Sequence, residues 1–149
     1  MTLRHLSRSL IVPVLLGLAT LAAAAEFGTA AEAKAMLEKA AAALKANQAN
    51  ALAMFQKGEG GFKDRDLYVF CGGPDGNFTA HPTLNGKSLK DLKDKTGKAL
   101  GEEIYKTAEP GKIGEVSYMW SRTGASDPVQ KVSYVTKVGD QVCAVGYYK

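Results

Sequence analysis

The stretch DLYVFCGGPDGNFTAHPTLNG, residues 66–86, decides the fold because two strand-like runs flank one strong turn signal. Leu67–Cys71 is apolar, aromatic or β-branched, which is typical of a strand buried on both faces. Gly72–Gly76 then supplies a proline that fixes φ and glycines that accept positive φ. Asn77–His81 can return antiparallel to the first strand. The stretch therefore predicts a β-hairpin whose last residue, His81, precedes a proline and can point into a cleft.

A long amphipathic helix is predicted upstream of this hairpin. Thr29 and Glu32 have the spacing of a capping box, and neither proline nor glycine follows before Gly58. The apolar positions form one stripe, made of Leu37, Ala41, Leu44, Ala51, Leu52 and Phe55. We expect one helix from Thr29 through Phe55 that packs on a sheet. Membrane binding is the weaker alternative, because the stripe is narrow and poor in aromatic residues.

The second half of the chain predicts a short helix and three strands. The helix covers about residues 98–108 and ends before Pro110-Gly111. In the next run Val116, Tyr118 and Trp120 alternate with other residues, which predicts a strand with one aromatic face. Residues 129–138 and 141–148 predict two further strands joined by a tight turn. With the first hairpin, this order predicts an α+β fold with a five-stranded antiparallel sheet.

Short motifs along the chain carry a family resemblance. They are Leu67-Tyr68-Val69-Phe70, His81-Pro82, Leu84-x-Gly86-Lys87, Asp91-Leu92, Tyr118-x-Trp120, Lys131-x-x-Tyr134-Val135 and Gly146-x-Tyr148. Their order resembles the single Cache domain, type 2, the extracytoplasmic small-molecule sensor module of bacterial chemoreceptors and sensor kinases. The resemblance covers nearly all of the chain after about residue 30. It implies a PAS-like fold, in which a long N-terminal helix packs on one face of the sheet and the other face carries a ligand pocket.

The N-terminus has the layout of a secretory signal peptide. Arg4 and Arg8 begin it, residues 10–19 form an apolar core, and Ala22–Ala25 offer the small residues that precede a cleavage site. We expect cleavage after Ala25, which leaves residues 26–149 as one exported Cache domain without a stable membrane anchor. The alternative is an uncleaved anchor, which a run shorter than roughly 20 apolar residues makes less favourable.

The charge of the chain argues against a nucleic-acid partner. The sequence holds 19 basic and 15 acidic residues. Arg4 and Arg8 fall in the signal segment, so the net charge of the remainder is +2. Basic residues alternate with acidic ones, as in Lys63-Asp64-Arg65-Asp66, which is typical of a solvated surface.

The two cysteines, Cys71 and Cys143, both lie in predicted strands. An exported protein with two cysteines favours one disulfide. The resemblance adds that the first and last strands are neighbours in the sheet, which would bring the pair together. Two buried free thiols remain the alternative.

The sequence contains no recognisable catalytic or cofactor-binding pattern. It has no nucleophile elbow, no paired metal-ligand spacing and no haem attachment motif, so we expect neither an enzyme nor a bound cofactor or metal. Gly58-Glu59-Gly60-Gly61 is similar to a phosphate loop only in its glycines, because the lysine that such a loop requires is missing.

The candidate ligand site combines aromatic walls with cationic and hydrogen-bonding groups, which suits a small carboxylate. Its predicted residues are Phe70, His81, Tyr118, Trp120, Arg122, Lys131 and Tyr134. Ordinary core packing and solvated strand ends are the alternative for each of them taken singly. Strict alternation also places Lys131 and Tyr134 on opposite faces of their strand, so both reach one pocket only through a bulge or twist.

We therefore expect an exported stand-alone Cache domain, periplasmic or secreted, that binds a small ligand. A short-chain organic acid is the expected ligand, and signalling or chemotaxis through a separate membrane receptor or sensor kinase is the expected role. The alternative is an exported structural or interaction domain without a working pocket.

Overall fold

The computed structural model describes residues 25–149. Apart from Ala25, the predicted signal peptide lies outside the described residues. The elements, in chain order, are α1 (Ala30–Ala46), α2 (Gln48–Lys57), β1 (Lys63–Asp64), β2 (Leu67–Gly72), β3 (Phe78–Ala80), α3 (Leu100–Thr107), β4 (Gly114–Ser121), β5 (Pro128–Val138) and β6 (Gln141–Tyr148).

The strands form one antiparallel sheet in the order β1-β2-β6-β5-β4, and β3 pairs with β2 beside β1. The first and last long strands, β2 and β6, are therefore neighbours, with Val69 paired with Val145 and Cys71 paired with Cys143. The predicted α+β class is confirmed, and all five predicted strands are present. The short strand β1 is an addition that the sequence did not reveal, made by a tight turn in which Arg65 has a positive φ of 54°.

The single helix expected from Thr29 through Phe55 is wrong in one respect, because the chain breaks at Asn47. Asn47 has extended backbone angles, φ −160° and ψ 99°. Its side chain accepts a hydrogen bond from the backbone N–H of Asn50 at 3.0 Å and so caps α2. This local bond competes with continuation of the helix and starts a second helix. The capping box of Thr29 and Glu32 at the start of α1 is present as predicted.

The sheet has a buried core on each face. The α1 face holds Leu67, Val69 and Cys71 from β2, packed against Leu37, Leu44 and other α1 residues. The opposite face holds Phe70 from β2 and Tyr118 from β4, with α3 and the loop between β3 and α3 packed over them. Leu67–Cys71 is thus buried on both sides, and this second face is the one that carries the site.

A disulfide joins Cys71 to Cys143 on the α1 face. The two residues are direct cross-strand partners in the β2–β6 pair. The bridge closes a loop with a sequence separation of 72 residues. In the chain-entropy model, closing such a loop stabilises the fold by about 4 kcal/mol.

Candidate functional site

A cleft of about 430 Å³ opens on the sheet face away from α1. Its walls come from β2, the ends of β4 and β6, and the loop that follows β3, with Tyr68, His81, Leu84, Trp120 and Tyr148 among the lining residues. Tyr68, His81, Leu84 and Trp120 also border an inner chamber of about 20 Å³ whose other lining residues are Phe70, Phe78, Leu92, Leu100 and Tyr118. A chamber of this size accommodates about one water molecule. The open cleft is therefore the volume available to a ligand.

A second depression, of about 480 Å³, lies between α1 and β1. Its carboxylates, Glu32 and Asp64, both form ion pairs with Arg65 at 2.7 and 2.8 Å. Lys39, which also lines it, donates to the carbonyl oxygen of Gly60 at 2.6 Å. Each of these three side chains already has a partner within the protein, so the depression is a weaker candidate for a ligand site than the cleft.

Lys131 is the central charged group beneath the cleft, and it is only 1% exposed. Its Nζ lies 3.2 Å from the Tyr68 hydroxyl oxygen, and 4.5 and 4.7 Å from the ring centroids of Tyr68 and Tyr148. Within residues 25–149 no carboxylate lies within 4.0 Å of this ammonium. Burial lowers the pKa of Lys131 to about 7; Asp66 opposes this shift and Arg122 adds to it. An unpaired buried cation of this kind is stabilised by an anion brought to it.

Tyr68 connects the buried ammonium to the cleft. Because Lys131 has no acceptor capacity, its ammonium donates to the Tyr68 oxygen, and the Tyr68 hydroxyl proton is left to donate elsewhere. Burial raises the pKa of Tyr68, so the hydroxyl keeps its proton at neutral pH. Tyr68 lines the cleft, where this proton is available to an acceptor on a ligand.

His81 provides a second donor at the same wall. It follows β3 directly, as predicted, and is 8% exposed. Its Nδ1 accepts hydrogen bonds from the backbone N–H groups of Thr83 at 3.0 Å and Leu84 at 3.1 Å. An Nδ1 that accepts two bonds carries no proton, so the proton of the neutral ring is on Nε2. Burial, with a contribution from Lys131, lowers the pKa of His81 to about 4 and keeps the ring neutral at pH 7.

Arg122, also predicted as a ligand contact, is not among the residues that line the cleft. Its Nη1 forms an ion pair with Asp66 at 2.7 Å, and its guanidinium lies between the rings of Phe27 and Tyr148, 4.0 and 4.4 Å from their centroids. The other oxygen of Asp66 accepts the backbone N–H of Gly28 at 2.7 Å. Arg122 therefore holds the segment before α1 against the sheet and already has a carboxylate partner.

The remaining predicted residues divide between the two faces. Trp120 borders both the cleft and the inner chamber, and Phe70 and Tyr118 border the inner chamber. The Tyr118 hydroxyl is bonded to Ser133 Oγ at 2.8 Å. Tyr134 is on the α1 face, where it stacks on Tyr147 with ring centroids 5.8 Å apart. The structure thus brings together Phe70, His81, Tyr118, Trp120 and Lys131, and it separates Tyr134 from them.

Sequence reasoning missed Tyr68 and Tyr148 as site residues, although both belong to the motifs quoted above. Tyr68 alternates with Phe70 on β2, and Tyr148 follows Gly146 by two residues on β6, so each lies on the cleft face. Alternation within each strand was sufficient to predict which face of the sheet each tyrosine occupies. Their common contact with Lys131 depends on the pairing of β5, β6 and β2, which no local pattern specifies.

Asp94 fixes the loop that covers the inner chamber. One of its oxygens accepts the backbone N–H groups of Thr96 and Lys98 at 2.8 and 3.0 Å, and the other accepts that of Met119 on β4 at 2.9 Å. Burial opposes ionisation of Asp94, but these hydrogen bonds outweigh it and hold the pKa well below its usual value. The loop is therefore attached to the edge of β4 next to Trp120.

No helix within residues 25–149 is long and apolar enough to cross a membrane. The same residues contain no group of three or more His, Cys, Asp or Glu side chains that could hold a metal ion.

Comparison with known proteins gives a family and several solved relatives. The family model described as a Cache domain matches residues 29–147. The methyl-accepting chemotaxis protein McpP of Pseudomonas putida is 38% identical over 56 residues. These residues are 38% of this chain and only 10% of McpP, so the comparison concerns a small part of that protein.

Three solved structures share the fold, each at 25% sequence identity. A methyl-accepting chemotaxis protein from Vibrio parahaemolyticus has a TM-score of 0.64, with 79% of this chain and 86% of that chain covered. A periplasmic sensor domain of a chemotaxis protein has a TM-score of 0.59, with 77% and 86% covered. A Cache chemosensory domain whose structure is described as the basis for carboxylic acid recognition has a TM-score of 0.55, with 77% and 84% covered.

Proposed function

Because the chain belongs to the Cache domain family, we propose that it is a sensor domain that binds a small carboxylate outside the cytoplasm. Its structural neighbours are chemoreceptor sensor domains, and one of them is described as recognising a carboxylic acid. The observation in this chain that carries the proposal is the buried ammonium of Lys131, which has no carboxylate partner among residues 25–149.

The groups around Lys131 suit a ligand that carries a single negative charge at one end. The Tyr68 hydroxyl and the His81 Nε2–H are two neutral donors at one wall, and the ammonium behind Tyr68 supplies the positive charge. A carboxylate accepts two such hydrogen bonds through its two oxygens. Trp120 and Leu84 line the same cleft and offer an apolar surface to the remainder of the ligand. A small monocarboxylate with a short apolar part satisfies both regions.

The location and the partner are part of the proposal. The N-terminal pattern supports export with cleavage after Ala25, and one structural neighbour is a periplasmic sensor domain. We infer that the domain reports ligand binding to a membrane receptor or sensor kinase in chemotaxis or a related signalling pathway, as its relatives are chemotaxis proteins. Co-purification of the domain with membrane proteins after cross-linking, with and without carboxylate, is the measurement that identifies this partner.

Calorimetry tests the binding proposal. The protein is titrated with acetate, butanoate and benzoate, and with the uncharged amides of the same acids as matched controls. We expect at least one carboxylate to bind and its amide not to bind. Lys131→Met, which removes the charge and keeps the length of the side chain, should weaken binding by about 10- to 100-fold, because the carboxylate loses the attraction of the opposite charge behind Tyr68.

Lys137→Met is the matched control, because Lys137 is an exposed lysine on the same strand, β5. Its affinity should equal that of the wild type. Equal affinity of the wild type and Lys131→Met for every carboxylate that binds would contradict the proposal.

One observation favours the alternative function, an exported structural or interaction domain. The inner chamber is filled by its own side chains down to about 20 Å³, as expected of a pocket that has closed. If that alternative is correct, none of the three carboxylates raises the melting temperature of the protein at millimolar concentration, although a ligand that binds only the native state must do so.

A further inference from the structure

Gly146 on β6 lies between the strand that carries Lys131 and the strand that carries Tyr68. In the β5–β6 pair, Lys131 is opposite Tyr148 and Ser133 is opposite Gly146. In the β2–β6 pair, Val69 is opposite Val145, so one further step places Tyr68 beside Gly146. The side chain of Lys131 must therefore cross β6 close to Gly146 to bring its ammonium to the Tyr68 hydroxyl.

The space above Gly146 is filled by this crossing side chain. A Cβ atom on residue 146 would overlap Cε of Lys131, and it would lie 3.3 Å from Cδ of Lys131 and 2.6 Å from Oγ of Ser133. The backbone of Gly146 is not in the left-handed region, so its conformation does not call for glycine. Glycine is needed at this position because a Cβ atom would occupy the space that the Lys131 side chain fills.

We propose that Gly146 is the positioning residue of the anion site: its missing side chain lets Lys131 cross β6 and sets the ammonium between Tyr68 and Tyr148. The inference rests on the proposed carboxylate site for its role in binding. Its structural content, the crossing itself, can be tested without any ligand. Without the crossing, the ammonium cannot reach the Tyr68 hydroxyl on β2.

The first test uses the wild-type protein, so it does not depend on the folding of a variant. Nuclear Overhauser spectroscopy should show contact between the α-protons of Gly146 and the ε-protons of Lys131. These ε-protons should also be shifted upfield, because they lie over the faces of two tyrosine rings. Absence of the contact together with ordinary lysine shifts would overturn the proposal.

The second test is Gly146→Ala, with the Lys131 amine titrated through its ¹³Cε chemical shift. Burial lowers the pKa of Lys131, and the charged groups that act on it are Asp66, just before β2, and Arg122, just after β4. Displacement into solvent should raise the titration midpoint by about two pH units or more toward the ordinary lysine value. An unchanged midpoint in a variant that folds would overturn the proposal.

Ser133 supplies the control, since a Cβ on residue 146 would also crowd its hydroxyl. Ser133→Ala alone keeps the space at Gly146 and should leave the Lys131 midpoint unchanged. In the double variant Gly146→Ala/Ser133→Ala the crowding at residue 133 is relieved but the overlap with Lys131 remains, so the midpoint should stay raised. Recovery of the wild-type midpoint in the double variant would assign the glycine to Ser133 and would overturn the proposal.

Acetate titration of the same variants separates the two proposals. Gly146→Ala should bind acetate at least about tenfold more weakly than the wild type, a difference of about 1.4 kcal/mol. A wild-type protein that shows the crossing and the expected midpoints but binds no carboxylate would count against the proposed function alone. Gly146→Ala with a raised midpoint and wild-type acetate affinity would overturn the role of Gly146 in binding.

Discussion

Lys131 is a buried amine whose neighbours within residues 25–149 include no carboxylate at ion-pair distance. The rings of Tyr68 and Tyr148 flank the ammonium, and its one hydrogen bond in the part of the chain that the structure describes is to a neutral hydroxyl. Aromatic faces attract a cation but replace only part of the hydration that burial removes. The site is therefore sensitive to whether this amine carries its proton.

We predict that carboxylate affinity falls as pH rises above neutrality. Below a pKa of about 7 the empty site already holds the ammonium. Above it the empty site holds a neutral amine, and binding must take up a proton, so affinity should fall by up to about tenfold per pH unit. His81, with a pKa of about 4, stays neutral throughout. Calorimetry from pH 6 to 9 measures the slope, and a flat profile in the wild type would refute the assignment.

We predict that Arg122→Met changes stability more than binding. The variant breaks an ion pair with the mostly buried Asp66 and removes the guanidinium from between Phe27 and Tyr148. Because Arg122 is one-quarter exposed, we expect a loss of about 1 kcal/mol in the free energy of unfolding. Carboxylate affinity should stay within about threefold of the wild type. A loss of affinity as large as that of Lys131→Met would restore Arg122 as a ligand contact.

At the scale of elements, the β2–β6 pair carries both the disulfide and two of the cleft residues. We predict that Cys71→Ala/Cys143→Ala lowers the free energy of unfolding by about 4 kcal/mol, because the unfolded chain regains the freedom of the closed loop. Urea denaturation measures it, and reduced wild-type protein is the control that should behave in the same way. Coincident midpoints for oxidised and reduced protein would show that the bridge does not form or does not constrain the unfolded chain.

The elements were more predictable from sequence than their junctions. Turn chemistry and alternation in residues 66–86 specify the hairpin, because both act locally. The break at Asn47 was missed because the side-chain cap to Asn50 outweighs a run of good helix formers, a balance that periodicity does not reveal. The family resemblance indicated a pocket on the face away from α1, where the cleft lies.

The sequence predicted on which face of a strand a site residue lies, but not which residues the pairing of strands brings together. Strict alternation correctly set Lys131 and Tyr134 on opposite faces, although Tyr134 was still included among the candidates. The partner of Arg122 was not predictable, because Asp66 lies 56 residues away and meets it only through the packing of β2 and the end of β4. Charge alone could not distinguish Arg122, which has a carboxylate partner, from Lys131, which has none among the residues that the structure describes.

At the scale of the whole molecule, we predict export and cleavage after Ala25. The N-terminal order of basic, apolar and small residues supports a signal peptide, and this segment lies outside the described residues. Intact-mass measurement of protein from the periplasm or medium should give the mass of residues 26–149. A variant with Ala23 and Ala25 changed to Leu is the control and should keep its leader. A wild-type mass that includes Met1–Ala25 would contradict the prediction.

The disulfide has a mechanical consequence for the cleft. It lies beneath β2 and β6, on the face opposite the cleft, and joins the two strands that carry Tyr68 and Tyr148. These strands cannot separate without breaking a covalent bond. The opposite wall, formed by Trp120 and Leu84, is held by packing, by the pairing of β4 with β5 and by hydrogen bonds such as those of Asp94. The tyrosine side of the cleft is therefore reinforced by a covalent bond between its two strands, whereas noncovalent contacts hold the Trp120 side.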